Sequence, residues 1–230
     1  MIYNLCISDC FSVRKDMLDL LKNRKLENST YKIIDIGGTT GGWSKDVIDA
    51  LVDINSPNVL DSNIKFFNFD ITDPNGWNTI LDYVDNNGKY DFCICSHTLE
   101  DIINPAYVCQ QISKIAKEGF IAFPSKYREL ARDNSPYRGY IHHRWIFTVV
   151  NNELIGYPKV PFIEYETFLD SIASCDKNIN DLSFYWKDKI EIKYVNNNYL
   201  GPDENSVINY YRNLCIKDDC DTYLTASSAA

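Results

Sequence analysis

Residues 31–38, Tyr-Lys-Ile-Ile-Asp-Ile-Gly-Gly, are the part of the sequence that says most about the fold. Residues 33–36 are isoleucine except for Asp35, and the run stops abruptly at Gly37-Gly38. A short, continuous apolar run of this kind is typical of a strand that is buried on both faces. A glycine turn directly after such a strand is typical of folds that bind nucleotides. The segment therefore predicts a buried parallel strand with a ligand-binding turn at its carboxyl end.

The chain after this turn alternates between short apolar runs and amphipathic segments. Strands are predicted at residues 50–54, 64–69, 90–95 and 119–124, and helices at residues 43–48, 75–84 and from Asn104-Pro105 onward. Asn is a favoured N-cap residue, and Pro is tolerated at the first helical position. The alternation predicts an α/β fold: a Rossmann-like, doubly wound and mostly parallel sheet with helices on both faces.

The second half of the chain has weaker signals. Residues 126–160 are predicted to be mostly loop, residues 164–173 and 205–214 to be helices, and residues 182–186 and 190–195 to be antiparallel strands. We expect these strands to form an antiparallel C-terminal edge of the sheet.

The length of 230 residues suits a single domain with a well-buried core. Residues 11–24 have an apolar helical stripe, so residues 1–30 are predicted to be an N-terminal helical cap. Residues 31–125 are predicted to be the cofactor-binding core. Residues 126–230 are predicted to supply acceptor-side loops and a C-terminal extension.

Composition excludes several classes of function. A net charge of −9 disfavours a nucleic-acid partner, because phosphate binding depends on clustered Lys and Arg. No apolar run approaches the roughly 20 residues that span a bilayer. Residues 1–5 lack the features of a signal peptide, so the eight cysteines are expected to be reduced and the location cytoplasmic. No pair of them has CxxC spacing, which disfavours a zinc site built from thiolates. The predicted partner is a small-molecule acceptor, and a homodimer is compatible with the sequence.

Several polar residues follow the predicted strands directly. In a doubly wound sheet the ligand lies beyond the carboxyl ends of the strands. Glycines after the first buried strand let the backbone approach a bound molecule, and amides at the start of the next helix can donate to a carboxylate. Asp53 is placed to accept both hydroxyls of a ribose, and Asp70-Ile71 to bind an adenine amine and cover its ring.

These segments resemble the class I S-adenosylmethionine-dependent methyltransferases, in a subset with Ser-His-x-Leu-Glu after the fourth strand of the core. The resemblance covers residues 31–125 and continues through Gly-Tyr-Ile-His-His-Arg-Trp at residues 139–145. Its motifs are Ile-Ile-Asp-Ile-Gly-Gly at 33–38, Phe-Asp-Ile-Thr-Asp at 69–73, and Ser-His-Thr-Leu-Glu-Asp at 96–101.

The resemblance implies S-adenosylmethionine as cofactor and methyl transfer to a small molecule, with a sugar or nucleotide-sugar of glycan synthesis as the expected acceptor. The residues that it assigns to the cofactor, from the methionine end through ribose and adenine to the pocket floor, are Asp35, Gly37, Gly38, Thr39, Asp53, Asp70, Ile71, Ser96 and His97.

Three histidines are candidates for the base that takes a proton from the acceptor, because imidazole titrates near neutrality. His143 is the first choice, followed by His142 and His97, with Glu100 or Asp101 as the carboxylate that orients the ring. The alternative is that the His-His-Arg-Trp run only anchors a loop. These histidines and carboxylates are also metal-ligand types, but adjacent histidines often point apart, so no metal site is predicted.

Two other functions are compatible with the same residues. Thr39 stands where the methyltransferase turn has a further glycine, and the helix after it is short, which suits a degenerate fold that serves as a non-catalytic binding or scaffold module. A nicotinamide-dependent enzyme would also use Asp53 for its ribose. Residues 37–41 do not supply the G-x-G-x-x-G spacing of that class, which disfavours it.

Overall fold

The structure is a computed structural model that describes residues 1–39, 41–56, 63–132, 135–174, 180–195, 205, 208, 209, 212 and 213. The strands in this part of the chain are β1 (Ile2–Ser8), β2 (Ile33–Ile36), β3 (Ala50–Asp53), β4 (Lys65–Asn68), β5 (Tyr90–Ser96), β6 (Ala116–Pro124), β7 (Trp145–Val150), β8 (Glu153–Pro158), β9 (Asp181–Lys187) and β10 (Ile192–Tyr194). The α-helices are α1 (Cys10–Glu27), α2 (Gly76–Asn87), α3 (Pro105–Ile115) and α4 (Lys126–Leu130), and two 3₁₀ helices cover Pro161–Tyr165 and Thr167–Ser174.

The larger sheet has seven strands in the order β1-β9-β6-β5-β2-β3-β4. The strands from β6 to β4 are parallel to one another, and β9 is antiparallel to both β6 and β1. The chain leaves β2 toward β3 and β4 on one side and later returns to β5 and β6 on the other. The sheet therefore reverses its winding between β2 and β5, which confirms the predicted α/β, doubly wound, mostly parallel fold.

Apolar cores lie on both faces of this sheet. One face buries Trp77 and Ile80 of α2 and Val108 and Ile112 of α3. The opposite core contains Met17 and Leu21 of α1, which are fully buried, together with side chains of β2, β3, β5 and β6. Helices on both faces explain why the parallel strands are apolar on both sides.

A smaller sheet has the order β10-β8-β7. β7 and β8 form a hairpin whose two-residue turn, Asn151-Asn152, has φ angles of 51° and 62°. Positive φ at both central positions matches the right-handed twist of hairpin strands. The ring centroids of Phe123 in β6 and Phe147 in β7 are 4.7 Å apart, so the small sheet packs directly on the large one.

Two expectations about the first fifty residues are wrong. Residues 2–8 are not part of a helical cap but form β1, the edge strand beyond β9, so β9 is antiparallel without being the edge. β1 pairs with a strand more than 170 residues away, and such pairing leaves little local signal. Residues 43–47 form turns rather than a helix, with Val47 N donating to Ser44 O over 3.0 Å.

Two expectations about the second half also change, and a third is incomplete. Residues 126–160 contain α4, β7 and β8, which were not predicted and which cover 17 of these 35 residues. Residues 192–194 form β10, which is parallel to β8 in the smaller sheet and does not extend the main sheet. Residues 164–173 fall in 3₁₀ turns instead of an α-helix. The helix predicted at residues 205–214 lies largely outside the described residues.

None of the helices in the described ranges combines the length and the apolar character that a membrane crossing requires.

Candidate functional site

A cavity of about 390 Å³ opens where β2, β3, β4 and β5 end, beside the point at which the sheet reverses its winding. Its walls come from the segments that follow these strands and from the loop before β7: Gly37, Asp53, Ile54, Phe69, Asp70, Ile71, Thr72, His97, Thr98, Asp101, Ile102, Ile103 and Arg144. A volume of a few hundred Å³ at this place in an open α/β sheet is typical of a small-molecule or cofactor site.

Gly37 and Thr98 lie next to each other in the cavity wall. Gly37 has a φ of +77°, and its N–H donates to Val52 O over 2.8 Å. A Cβ built on Gly37 would overlap the Thr98 side chain, whose hydroxyl donates to Ser96 O over 3.2 Å. Only glycine combines this backbone conformation with so close a neighbour.

Asp35 lies beneath the glycine turn and does not line the cavity. Its carboxylate accepts a 2.5 Å hydrogen bond from Ser44 Oγ, and a Cβ on Gly38 would overlap it. Burial raises the pKa of Asp35 to about 6, which the Ser44 hydrogen bond partly opposes. In this structure Asp35 and Gly38 therefore shape the turn from below instead of forming cavity wall.

The ends of β3 and β4 bring Asp53 and Asp70 to the same side of the cavity. Asp53 Oδ1 accepts from Asn55 N over 2.6 Å. Asp70 Oδ1 accepts from the backbone N and the hydroxyl of Thr72, over 2.8 and 2.7 Å. These short-range bonds fix where each carboxylate points.

An apolar surface lies beside these carboxylates. Phe69 packs against Trp77 with ring centroids 5.4 Å apart, and Trp77 Nε1 donates to Ile71 O over 2.8 Å. Both Phe69 and Ile71 line the cavity. The segment after β4 thus combines a carboxylate with a flat apolar surface, the chemistry that was predicted for an adenine site.

The cation in the cavity wall is Arg144, which the sequence placed only in a general basic stretch. Its Nε donates to Asp101 O over 3.0 Å, and its backbone N donates to Glu100 O over 2.7 Å. Residues 37–39 and 41–49, the described residues between β2 and β3, contain no helix, so the helix amides that were expected to donate to a carboxylate are not found among them. The position of Arg144 in the His-His-Arg-Trp run was the one feature of the sequence that could have identified it as a site residue.

His97 is the histidine in the cavity wall. Its φ is +53°, a strained value for a residue with a side chain. Its Nε2 is 2.8 Å from Asp181 Oδ2, and its Nδ1 is 3.5 Å from Glu100 Oε1. Asp181 begins β9, 84 residues away in sequence, and was not predicted as a site residue.

Glu100, the next neighbour of the His97 ring, is not part of the cavity wall. It is 1% exposed, and neither carboxyl oxygen has a hydrogen-bond partner among the described residues. Burial, followed by the neighbouring charges of Asp101, Glu129 and Asp181, raises the pKa of Glu100 well above its usual range. Burial at this position therefore disfavours the charged form of the Glu100 carboxyl.

His142 and His143 lie against Asp101, which lines the cavity, but they are not themselves part of its wall. His143 is buried, with Nδ1 2.6 Å from Glu129 Oε1 and Nε2 3.5 Å from Asp101 Oδ1. His142 is exposed, and its Nε2 is 3.8 Å from the same Asp101 oxygen. The two rings meet edge to face with centroids 4.5 Å apart. Glu129, on α4, was not predicted from the sequence.

The loop that presents these histidines is firmly anchored. Arg138 is fully buried and donates to Leu130 O, Ile163 O and Glu166 O over 2.8–3.0 Å. Trp145 Nε1 donates to Ile102 O over 2.9 Å. Trp145 of the His-His-Arg-Trp run thus anchors a loop, which is the role that the alternative hypothesis gave to the whole run. The two histidines of the run face Asp101 instead.

The structure divides the predicted site residues into two groups. Those that line the cavity are Gly37, Asp53, Asp70, Ile71 and His97. Those that lie outside its wall are Asp35, Gly38, Thr39, Ser96, Glu100, His142 and His143.

Comparison with family models and with curated proteins finds no match. Solved structures give distant similarities. The plantazolicin methyltransferase BpumL in complex with SAH is 11% identical over 76% of this chain and 82% of its own, with a TM-score of 0.42. The N-terminal domain of EvdMO1 with SAH and D-fucose is 9% identical over 75% and 82%, with a TM-score of 0.40. Similarity at this level identifies neither a family nor an activity.

Proposed function

We propose that the chain is an S-adenosylmethionine-dependent methyltransferase that acts on a hydroxyl group of a small molecule. The observation behind this proposal is a single cavity, at the point where the sheet reverses, whose wall contains the Gly37 turn, Asp53 and the Asp70-Ile71 pair. These are three of the strand-end features from which the sequence predicted the cofactor site.

The chemistry of the wall fits this cofactor. Asp53 would accept from the ribose hydroxyls, and Phe69, Asp70 and Ile71 would hold the adenine. Arg144 lines the same cavity, is bonded to Glu100 and Asp101 in the segment that follows β5, and would pair with the methionine carboxylate. The cofactor supplies an electrophilic methyl group when bound. The residues of the chain need only align the acceptor and take its proton.

We assign the proton acceptor to His97, the third choice from the sequence, in preference to His143. His97 lines the cavity, whereas His143 lies outside its wall. Asp181, 2.8 Å from His97 Nε2, would accept a hydrogen bond from that nitrogen, hold the ring and stabilise its protonated form, so that Nδ1 would be the nitrogen that takes the proton. Loss of the His97 imidazole should therefore lower turnover without weakening cofactor binding in proportion.

We propose a sugar or nucleotide-sugar as the acceptor. Tyr137 is 46% exposed on the loop before β7, and its amphipathic ring is of the kind that sugars contact. Arg128 lies over the Tyr140 ring at 5.1 Å and could pair with a phosphate.

Isothermal titration of the full chain with S-adenosylhomocysteine tests the cofactor site. Asp53→Asn keeps the side-chain oxygen that bonds Asn55 N but removes the charge offered to the ribose. We expect a loss of affinity of roughly 10- to 100-fold, the usual effect of a hydrogen bond to a charged group. Asp82→Asn, on the exposed face of α2, is the matched control and should bind as the parent does.

Two results would contradict the proposal. The parent protein could release no heat at millimolar ligand while its circular dichroism shows that it is folded. Alternatively, both variants could weaken binding equally, which would indicate a general effect of charge. Titration with NAD should give no heat, and binding of NAD alone would support the nicotinamide-dependent alternative.

A further inference from the structure

We propose that Asp101, His142 and His143 bind one divalent transition-metal ion at the edge of the cavity. The sequence predicts no metal site, because neighbouring histidine side chains commonly diverge. The structure removes this objection, since both imidazole rings turn toward Asp101. Two imidazoles and one carboxylate are ligands that suit ions such as Zn²⁺, Mn²⁺ and Fe²⁺.

The separations between the ligand atoms fit one ion. Asp101 Oδ1 is 3.5 Å from His143 Nε2 and 3.8 Å from His142 Nε2. One ligand atom from each of the three residues lies within 4.8 Å of the other two. Tetrahedral zinc with bonds of about 2.0–2.1 Å sets its ligand atoms about 3.3 Å apart. Small side-chain rotations would therefore bring the three atoms onto one centre.

The contact behind His143 is the one that metal-binding histidines usually have. Ligating histidines donate their other ring N–H to a carboxylate or carbonyl, which fixes the ring. Here His143 Nδ1 is 2.6 Å from Glu129 Oε1, and Lys159 Nζ donates to Glu129 Oε2 over 2.5 Å. With Glu129 occupied in this way, His143 Nε2 is the nitrogen directed at Asp101.

An independent observation comes from Asp101 itself. Its Oδ1 is inaccessible to solvent yet has no hydrogen-bond partner among the described residues. A buried carboxylate oxygen without a partner is costly, and a cation bound between it and the two imidazoles would satisfy it. The unpaired atom is the same oxygen that faces both histidines.

The backbone holds the three ligands in place before any ion arrives. Arg144 N donates to Glu100 O. Since Arg144 follows His143 and Glu100 precedes Asp101, this bond holds the histidine segment beside Asp101. Gly139, with a φ of +53°, crosses α4 so closely that a Cβ would be 2.6 Å from Glu129 Cα. A site whose ligands are held by rigid contacts loses little entropy on binding.

The position of the ion at the edge of the cavity indicates a role in methyl transfer. This inference rests on the proposed function. Three protein ligands leave coordination positions open for another oxygen. Because Asp101 also lines the cavity, an ion there would bind an acceptor oxygen and lower the pKa of its hydroxyl before His97 takes the proton. The acceptor class is then a molecule with neighbouring oxygens, such as a vicinal diol of a sugar.

The test is titration of the chelator-treated full chain with Zn²⁺, followed by calorimetry. We expect one site per chain, and a loss of affinity of about tenfold or more in His142→Ala and Asp101→Asn. His142 is 62% exposed at its side chain, so its truncation leaves the core intact. Ile141→Ala, at the exposed residue next to it, is the matched control and should bind as the parent does.

Absence of a stoichiometric site in the parent would overturn the proposal. Unchanged binding in both His142→Ala and Asp101→Asn would also overturn it, because the ion would then lie elsewhere, for example on cysteines. Co²⁺ loading gives a further distinction, since a thiolate site shows sulfur charge-transfer absorption and this site should not. S-adenosylhomocysteine titration of the same parent sample reports the cofactor site separately, so failure of one proposal is visible apart from the other.

Discussion

The structure explains why residue 37 is a glycine. It has a φ of +77°, and any Cβ there would overlap Thr98 across the cavity wall. At Gly41, by contrast, an added Cβ would have no atom within 4 Å, and φ is not positive. Geometry therefore requires glycine at position 37 and does not require it at position 41.

Gly37→Ala should lower the free energy of unfolding by about 1–3 kcal/mol, because it adds backbone strain and a steric overlap. It should also weaken S-adenosylhomocysteine binding. Urea denaturation measures the first effect, and Gly41→Ala is the control that should leave the midpoint unchanged. Equal effects of the two changes would show that the Thr98 contact does not restrict the turn.

Asp35 predicts a pH dependence. Burial raises its pKa in the folded state from 3.8 to about 6, so the folded protein holds a proton that the unfolded chain releases between these values. The contribution of Asp35 to the free energy of unfolding should therefore fall by roughly 3 kcal/mol as the pH rises from about 4 to 6. Asp35→Asn should remove this fall.

Denaturant titrations at a series of pH values measure the effect. Ser44→Ala removes the hydrogen bond that lowers the Asp35 pKa, so it should extend the fall toward higher pH. Identical pH profiles for the parent and Asp35→Asn would contradict the assignment of the titration to this carboxyl.

At the scale of elements, α2 and α3 both have an asparagine at the N-cap position, but only one of these side chains caps its helix. Asn104 accepts a 3.1 Å hydrogen bond from Tyr107 N, whereas Asn75 makes no side-chain capping bond. Asn104→Ala should therefore cost about 1 kcal/mol of stability, and Asn75→Ala should cost much less. Thermal unfolding of the two variants checks this. A larger loss at Asn75 would mean that capping does not explain the difference.

The elements that the sequence predicted share a local signal. β2, β3, β4, β5 and β6 are short apolar runs that end at turn residues, and α3 has both a capping Asn and a Pro at its start. β1, β7 and β8 were missed, because β1 pairs with the distant β9, and β7 and β8 lie in a stretch rich in turn residues. Local propensity does not report such pairings.

At the scale of the whole molecule, the winding of the sheet decides which loops share the cavity. Reversal between β2 and β5 brings together segments that follow four strands, from Gly37 to Asp101. Thr39, the departure from the methyltransferase turn, is exposed and does not line this cavity. Its side chain therefore has no evident means of blocking a ligand there.

Thr39→Gly distinguishes an enzyme site from a degenerate binding module. Because the side chain is exposed, we expect the dissociation constant for S-adenosylhomocysteine to stay within about twofold of the parent value. Calorimetry measures it. Binding that becomes about tenfold tighter, a gain of roughly 1.4 kcal/mol, would instead support a turn that has lost its original function.

The sequence by itself determined the parallel α/β core and the strand-end residues Gly37, Asp53, Asp70 and His97. A buried strand and the turn that ends it occupy consecutive residues, so their pattern is visible in the sequence. Only the tertiary structure decided which partners those residues meet. The pairing of His97 with Asp181, and of His142 and His143 with Asp101 and Glu129, joins positions 14 to 84 residues apart. Chain folding brings such groups together through core packing and strand order, and no local pattern encodes their distances.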